Sequence, residues 1–204
     1  METENRNHNI IKIILRNEDR KYLGLTPIED HWERMDIKHI TLFFDGDVIR
    51  KKITHAEFES QHFLYLEEDV YVETAENRTI VLPKTSKGKP KKLNYTATTM
   101  FTHIGMYFMY NDGYVVIANA TTQKTFYWTC IEGKENKKLF DKWFETWKKE
   151  TTEEDLRELE TFKNEKRKKQ KYKEGDIFAF KIGRRNYGFG KIIIDVTKRR
   201  KSEE

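Results

Sequence analysis

Six histidines, one cysteine and three groups of neighbouring carboxylates are the side chains that chemistry would draw on in this 204-residue sequence. His8, His31, His39, His55, His62 and His103 are scattered, none sits in an HExxH helix, and no Cys/His cluster has zinc spacing. The acids pair as Glu29/Asp30, Asp45/Asp47 and Glu67/Glu68/Asp69. Adjacent carboxylates usually form turns or solvated faces, and Asp45-Gly46-Asp47 lacks the further ligands of a calcium loop. Cys130 follows TFYWT on a predicted strand and reads as a small core residue; no base is designated to activate it. There is no G-x-S-x-G elbow. Thr85–Lys89 (TSKGK) lacks the spacing of a phosphate loop, and Gly183, Gly188 and Gly190 do not make G-x-G-x-x-G. The sequence therefore names no catalytic residue, no cofactor-binding residue and no metal ligand. A binding protein, not an enzyme, is the expectation.

One chemical signal is charge. Residues 1–150 balance, with 23 Lys and Arg against 23 Asp and Glu, while residues 151–204 hold 16 against 11. The whole net charge of +5 thus sits in the last quarter, densest from Lys166 to Lys201. Such a segment favours acidic partners, either nucleic acid or an acidic protein face. Tyr187 and Phe189 interleave with these charges and are placed to stack on bases. NYGFGKI shares the Gly-aromatic-Gly alternation of an RNA-binding strand, but lacks its later aromatic and a partner strand. Nucleic-acid binding through this basic segment is the alternative reading; a solvated, charged surface is the plainer one.

The elements that position these residues change in texture along the chain. Residues 1–133 read as a β-rich domain. Strands are predicted over 9–16, 39–44, 48–53, 79–82, 107–110, 114–118 and 125–130, and two more flank Glu67-Glu68-Asp69. Asp45-Gly46 and Asn111-Asp112-Gly113 are hairpin turns. Thr26-Pro27 is placed to start a short helix, and 83–92 is a polar loop with five lysines. From Asn136 to Lys171 there is no Gly or Pro. Leu139, Phe140, Trp143, Phe144 and Trp147 recur at helical spacing. Thr152–Asp155 resembles a capping box that restarts a second helix with Leu156, Leu159 and Phe162 as its stripe. Residues 134–171 are thus a helical connector, and 172–204 a β-hairpin turning at Gly183–Asn186. The class is α+β. With a polar N-terminus, a single cysteine and no long apolar run, the chain is expected in the cytoplasm and off the membrane.

Within the last segment, GDIFAFKI and YGFGKIIID (175–195) resemble the opening of the Immunity protein 26 family, toxin-neutralising proteins of bacterial polymorphic toxin systems. The matching residues are Gly175, Asp176, Ile177, Phe178, Tyr187, Gly188, Phe189, Gly190 and Lys191. Phe178 and Phe180 share one strand face, and Tyr187 and Phe189 one face of the partner strand. Gly188 and Gly190 clear the other face for curvature or close approach. The resemblance covers about 25 of the 204 residues. Family domains continue for several more strands, so the hairpin is expected to open a small, shortened β-barrel module.

What the resemblance implies is a protein that binds a cognate toxin and blocks it by occlusion, without turnover and without a cofactor. Gly175, Asp176, Phe178, Tyr187, Gly188, Phe189 and Gly190 are its candidate partner-binding residues. The aromatic strands before it offer further anchors in Tyr107, Phe108, Tyr110, Tyr114, Phe126, Tyr127 and Trp128, though most are expected in the core. A partner for this basic chain is acidic, or a toxin other than a basic nuclease.

Overall fold

A computed structural model describes residues 13–57, 63–133, 136–169 and 171–193. The elements in chain order are α1 (Asn17–Arg20), a 3-10 turn (Lys21–Leu23), β1 (Glu33–Ile37), β2 (Ile40–Asp45), β3 (Val48–Glu57), β4 (Phe63–Glu73), β5 (Ile80–Val81), β6 (Lys91–Lys92), α2 (Tyr95–Thr98), β7 (His103–Asn111), β8 (Tyr114–Asn119), β9 (Lys124–Cys130), α3 (Asn136–Glu150), α4 (Glu153–Lys163), β10 (Ile177–Lys181) and β11 (Tyr187–Lys191). The protein is α+β and mostly antiparallel sheet. Seven strands run in the order β1-β2-β3-β4-β7-β8-β9, while β5–β6 and β10–β11 form separate two-stranded sheets; no described sheet closes into a barrel.

Local chemistry sets the turns. Asp45 pairs with Val48 across Gly46 at φ +60°, and Asn111 pairs with Tyr114 across Asp112 and Gly113 at φ +46° and +87°. The second turn has the two successive positive φ values of a type I′ hairpin, while the first has one, at Gly46 in the first central position, as a type II′ turn requires. A Cβ on Gly113 would meet the Ile131 carbonyl oxygen at 2.2 Å, so only glycine fits there.

The two sheet faces are covered differently. On one face, Ile53, Tyr65, Phe108, Tyr110, Val115, Ile117 and Phe126 are buried against Phe140, Phe144 and Trp147 of α3 and Leu159 of α4. Trp143 stacks over Phe108 at 6.1 Å and Tyr127 meets Trp147 at 4.6 Å. The expected capping box is present: Asp155 N donates to Thr152 Oγ1 and Thr152 N to the Asp155 carboxylate, restarting the chain as α4. On the opposite face, among the described residues, Val81, Leu93, Tyr95, Ala97 and Phe101 from the segment between β4 and β7 cover the β2–β4 half.

Several expectations are corrected. Within the expected 62–74 stretch, Phe63–Glu73 form one eleven-residue strand, not two strands around an acidic turn, and His62 lies outside the described residues. No helix follows Thr26-Pro27; Asn17 instead ties that irregular stretch down through both the N–H and the carbonyl of Ile28, and the short helix precedes it. Ile13 and Leu15 are buried but in no strand, and residues 9–12 of that expected strand lie outside the described residues. The second helix stops at Lys163, before the basic tract. Cys130 is exposed, not a core residue.

Candidate protein-binding surface

Strand register lines up the face of the sheet turned away from the helices. Residues directly opposite one another share a face, so Leu66, Met109, Val116 and Trp128 make one row, and Leu64, Asn111, Tyr114 and Cys130 the next. The alternate rows, Glu67-Phe108-Ile117-Tyr127 and Tyr65-Tyr110-Val115-Thr129, face the helices. The expected aromatic anchors therefore divide. Phe108, Tyr110 and Phe126 are core, and Tyr127 packs on the helices. Tyr107, Tyr114 and Trp128 look outward. Tyr114 and Trp128 lie 6.4 Å apart between ring centroids and are 47% and 57% exposed.

The C-terminal hairpin lies beside β9, the edge strand of this sheet. Ile177 pairs with Lys191, Phe178 with Gly190, Phe180 with Gly188 and Lys181 with Tyr187. Phe178 and Phe180 lie over the two glycines; a Cβ would come within 2.4 Å of the Phe178 ring at Gly190 and 2.7 Å of the Phe180 ring at Gly188. The close approach anticipated at these glycines is thus made by the partner strand's own aromatics. Gly175, at φ +93°, donates to the Ile192 carbonyl, and Asp176 accepts from Lys173 N, which closes the base of the hairpin. Phe178, Phe180, Tyr187 and Phe189 all remain about half exposed or more.

What holds the hairpin is its turn. The Arg184 guanidinium lies 3.8 Å from the Trp147 ring centroid and donates to the Trp147 carbonyl and to Thr151 Oγ1. Arg185 bonds the Asp155 carboxylate, Lys181 pairs with Glu158 at 2.6 Å, and Tyr187 Oη donates to Glu158. Burial alone would raise the Asp155 carboxyl, but hydrogen bonds from Arg185 and Thr152 and the nearby Arg184 charge hold it well below the usual range. Burial lowers the Arg184 guanidinium, while Asp155 raises that of Arg185. Arg184 and Arg185, two of the cations of the basic segment expected to meet nucleic acid, are therefore engaged within the chain. Lys166, Lys168 and Lys169 are exposed and, among the described residues, pair with no carboxylate.

The sheet and the hairpin meet at a groove of about 250 Å³, walled by Thr125–Trp128 on one side and Phe180–Gly183 on the other. Trp128 belongs both to the outward face and to this groove. Tyr114 and Trp128 adjoin each other on the sheet, Phe178 and Phe180 adjoin each other at 5.9 Å on the hairpin, and Trp128 and Phe180 line the same groove.

Sequence reading missed a buried charge network on the helix-covered face. Lys51 and Glu67 are fully buried; Glu67 takes Arg20 at 2.8 Å, Lys51 at 2.8 Å and Tyr65 Oη at 2.6 Å, and Lys51 reaches Asp69 at 2.7 Å. On the opposite face, Glu68 binds Lys52 at 2.8 Å and His103 at 2.6 Å. The available signal was the pairing itself: Lys51-Lys52 lies opposite Glu68 and Asp69 in register. Burial pushes the Tyr65 phenol up, and burial of Glu67 is outweighed by Lys51 and Arg20, which keep it ionised. Both Glu67 oxygens already accept bonds from side chains, which suits a structural tie more than proton transfer. A cleft of about 430 Å³ lies alongside, lined by Arg20, Trp32, Arg34, His55 and Tyr65 among others. Among the described residues no group of three or more His, Cys, Asp or Glu is placed to hold a metal, and no helix is long and apolar enough to cross a membrane.

A scan against protein-family models returned no match, and searches of curated proteins and of solved structures found no similar chain.

Proposed function

We propose that this chain is a stoichiometric protein-binding partner of the immunity type, which neutralises a cognate toxin in the cytoplasm by covering it. The observation that carries the reading is the exposure of Tyr114 and Trp128 on the sheet and of Phe180 and Phe178 on the hairpin beside it. Each such side chain contributes up to about 150–250 Å² when covered. At about half exposure each, the four together offer roughly 300–500 Å², about half of one side of a standard interface of about 800 Å². Tyr and Trp are also the residues in which binding energy concentrates. The clamp at Arg184 fixes the hairpin before a partner arrives, which lowers the ordering cost of association. The resemblance of 175–195 to the Immunity protein 26 family supplies the toxin as partner, and with it the idea that this hairpin is the opening of a small barrel.

The test is co-expression with the protein encoded immediately upstream. That protein alone is expected to arrest growth, and this chain to restore it through a one-to-one complex. Trp128→Arg is expected to remove protection while the circular dichroism spectrum and melting temperature stay those of the wild type. Normal growth without this chain would sink the reading.

A further inference from the structure

β9 ends the seven-stranded sheet, and among the described residues no strand pairs with its outer edge. An unpaired edge is a template for another extended chain, and proteins usually blunt or cover it. Here it is flanked by a groove. Thr125–Trp128 form one wall and Phe180–Gly183 the other, with Phe180 47%, Trp128 57% and Ile182 63% exposed along it. Lys181 stands 4.0 Å from the Phe126 ring centroid, joining the two walls. The start of β9 lies beside the basic tract, since Lys124 pairs with Glu165 and Arg167 donates to Gln123. Residues 163–191 carry eleven Lys and Arg against three Asp and Glu, of which Lys181, Arg184 and Arg185 are paired with Glu158 and Asp155.

Charge selects the occupant. A second copy of this chain, paired edge to edge, would bring two such basic regions to one interface. An acidic segment would meet complementary charge there. We infer that β9 accepts, as an added strand, one extended segment of an acidic partner protein. Its backbone pairs with the β9 edge, an apolar side chain enters the groove between Trp128 and Phe180, and its carboxylates face Lys166, Lys168 and Lys169. Strand addition takes affinity from main-chain hydrogen bonds and specificity from alternate side chains. This inference rests on the protein-binding reading and names its mode.

The test is selection of random twelve-residue peptides displayed on phage against the full-length chain, followed by synthesis of the winners. The expected winners alternate apolar residues and carry Asp or Glu at one end. They protect the amides of 124–130 from hydrogen exchange, bind at least tenfold more weakly to Trp128→Arg, and fail when alternate backbone amides are N-methylated. Winners with three- and four-residue apolar spacing, winners that tolerate N-methylation, protection outside β9, or no winners would each overturn the inference. Binding of single-stranded oligonucleotides that displaces the peptides only through phosphate charge, with no protection of β9, would also overturn it and assign the basic tract to nucleic acid. Growth protection in the co-expression experiment with any of these failures would leave the immunity reading standing and remove strand addition alone.

Discussion

Replacing Asp155 by Asn isolates what holds the C-terminal hairpin to the body. The carboxylate is 7% exposed and bonds Arg185, with Arg184 3.6 Å away. It also closes the capping box of α4 through Thr152. Asn keeps the size and can keep part of the cap, so the helix loses at most about 1 kcal/mol. The docking loses charge-assisted hydrogen bonds, each about 1.5–3 kcal/mol, and leaves the half-buried Arg184 without its counter-charge. A net loss of about 2–3 kcal/mol raises the undocked population roughly 30- to 150-fold. Freed, a lone two-stranded hairpin has little stability of its own. Hydrogen exchange is the assay: the amides of 177–181 and 187–191 are expected to exchange much faster in D155N, with those of β7 and β8 unchanged. Arg185→Gln, at a site whose side chain is 54% exposed, is expected to do less. The pH dependence follows from the depressed carboxyl. In the wild type the contribution of Asp155 is complete above the unfolded value near pH 3.9 and is lost only as pH falls through the lower folded value. D155N has no such loss in that window. Unchanged hairpin exchange in D155N, or exchange rising equally in β7 and β8, would refute the clamp.

Glu67→Gln leaves Lys51 with the Asp69 carboxylate and takes from Arg20 the carboxylate it bonds in the interior. Breaking a buried pair costs about 3–5 kcal/mol, so urea unfolding at pH 7 should show a loss of that size. Because the Glu67 carboxyl is held low, the gap from wild type should narrow as pH falls below the ordinary carboxylate range. A loss under 1 kcal/mol would show that the network is dispensable. Gly113→Ala forces a side chain at φ +87° against the Ile131 carbonyl; the backbone conformation alone costs about 1–3 kcal/mol, and chemical denaturation should register at least that. If the proposed toxin partner binds, added salt should slow its association and barely alter its dissociation, because exposed cations steer encounter while the aromatics hold. Stopped-flow mixing at two ionic strengths separates the two.

Local signals were legible in the sequence. The Asp-Gly turns, the Thr152 capping box and the alternation through GDIFAF and YGFG each act within a few residues, so their chemistry decides the geometry wherever the chain goes next. The acids of β4 were not legible, because their counter-ions come from elsewhere: Lys51 and Lys52 from the preceding strand, Arg20 from a turn 47 residues away. Once neutralised, Glu67-Glu68-Asp69 extends a strand instead of ending one. The outward set of aromatics was hidden for another reason. β7 is apolar on both faces, with Phe108 and Tyr110 alternating with Tyr107 and Met109. Alternation separates the two sets but does not say which set is core. That choice belongs to α3, whose Phe140 and Trp143 arrive some thirty residues later and claim the face of Phe108.

The sheet buries one apolar face more fully than the other, and the division is physical. Among the described residues a covering segment lies over β2–β4, while on β7–β9 Met109 and Val116 are partly buried and Trp128 is exposed. Stability alone gives no reason to leave Trp128 exposed, since covering it would add hydrophobic burial. The hairpin repeats the pattern. Its arginines and lysine hold the turn to α3 and α4, while its four aromatics face water. Under the proposed protein-binding role these aromatics are the contact surface, and the ion-paired turn beside them keeps that surface in one shape. Rigidity from charge and exposure of aromatics are thus separate jobs on neighbouring residues. A partner that covers Trp128 gains the apolar area without having to order the hairpin first.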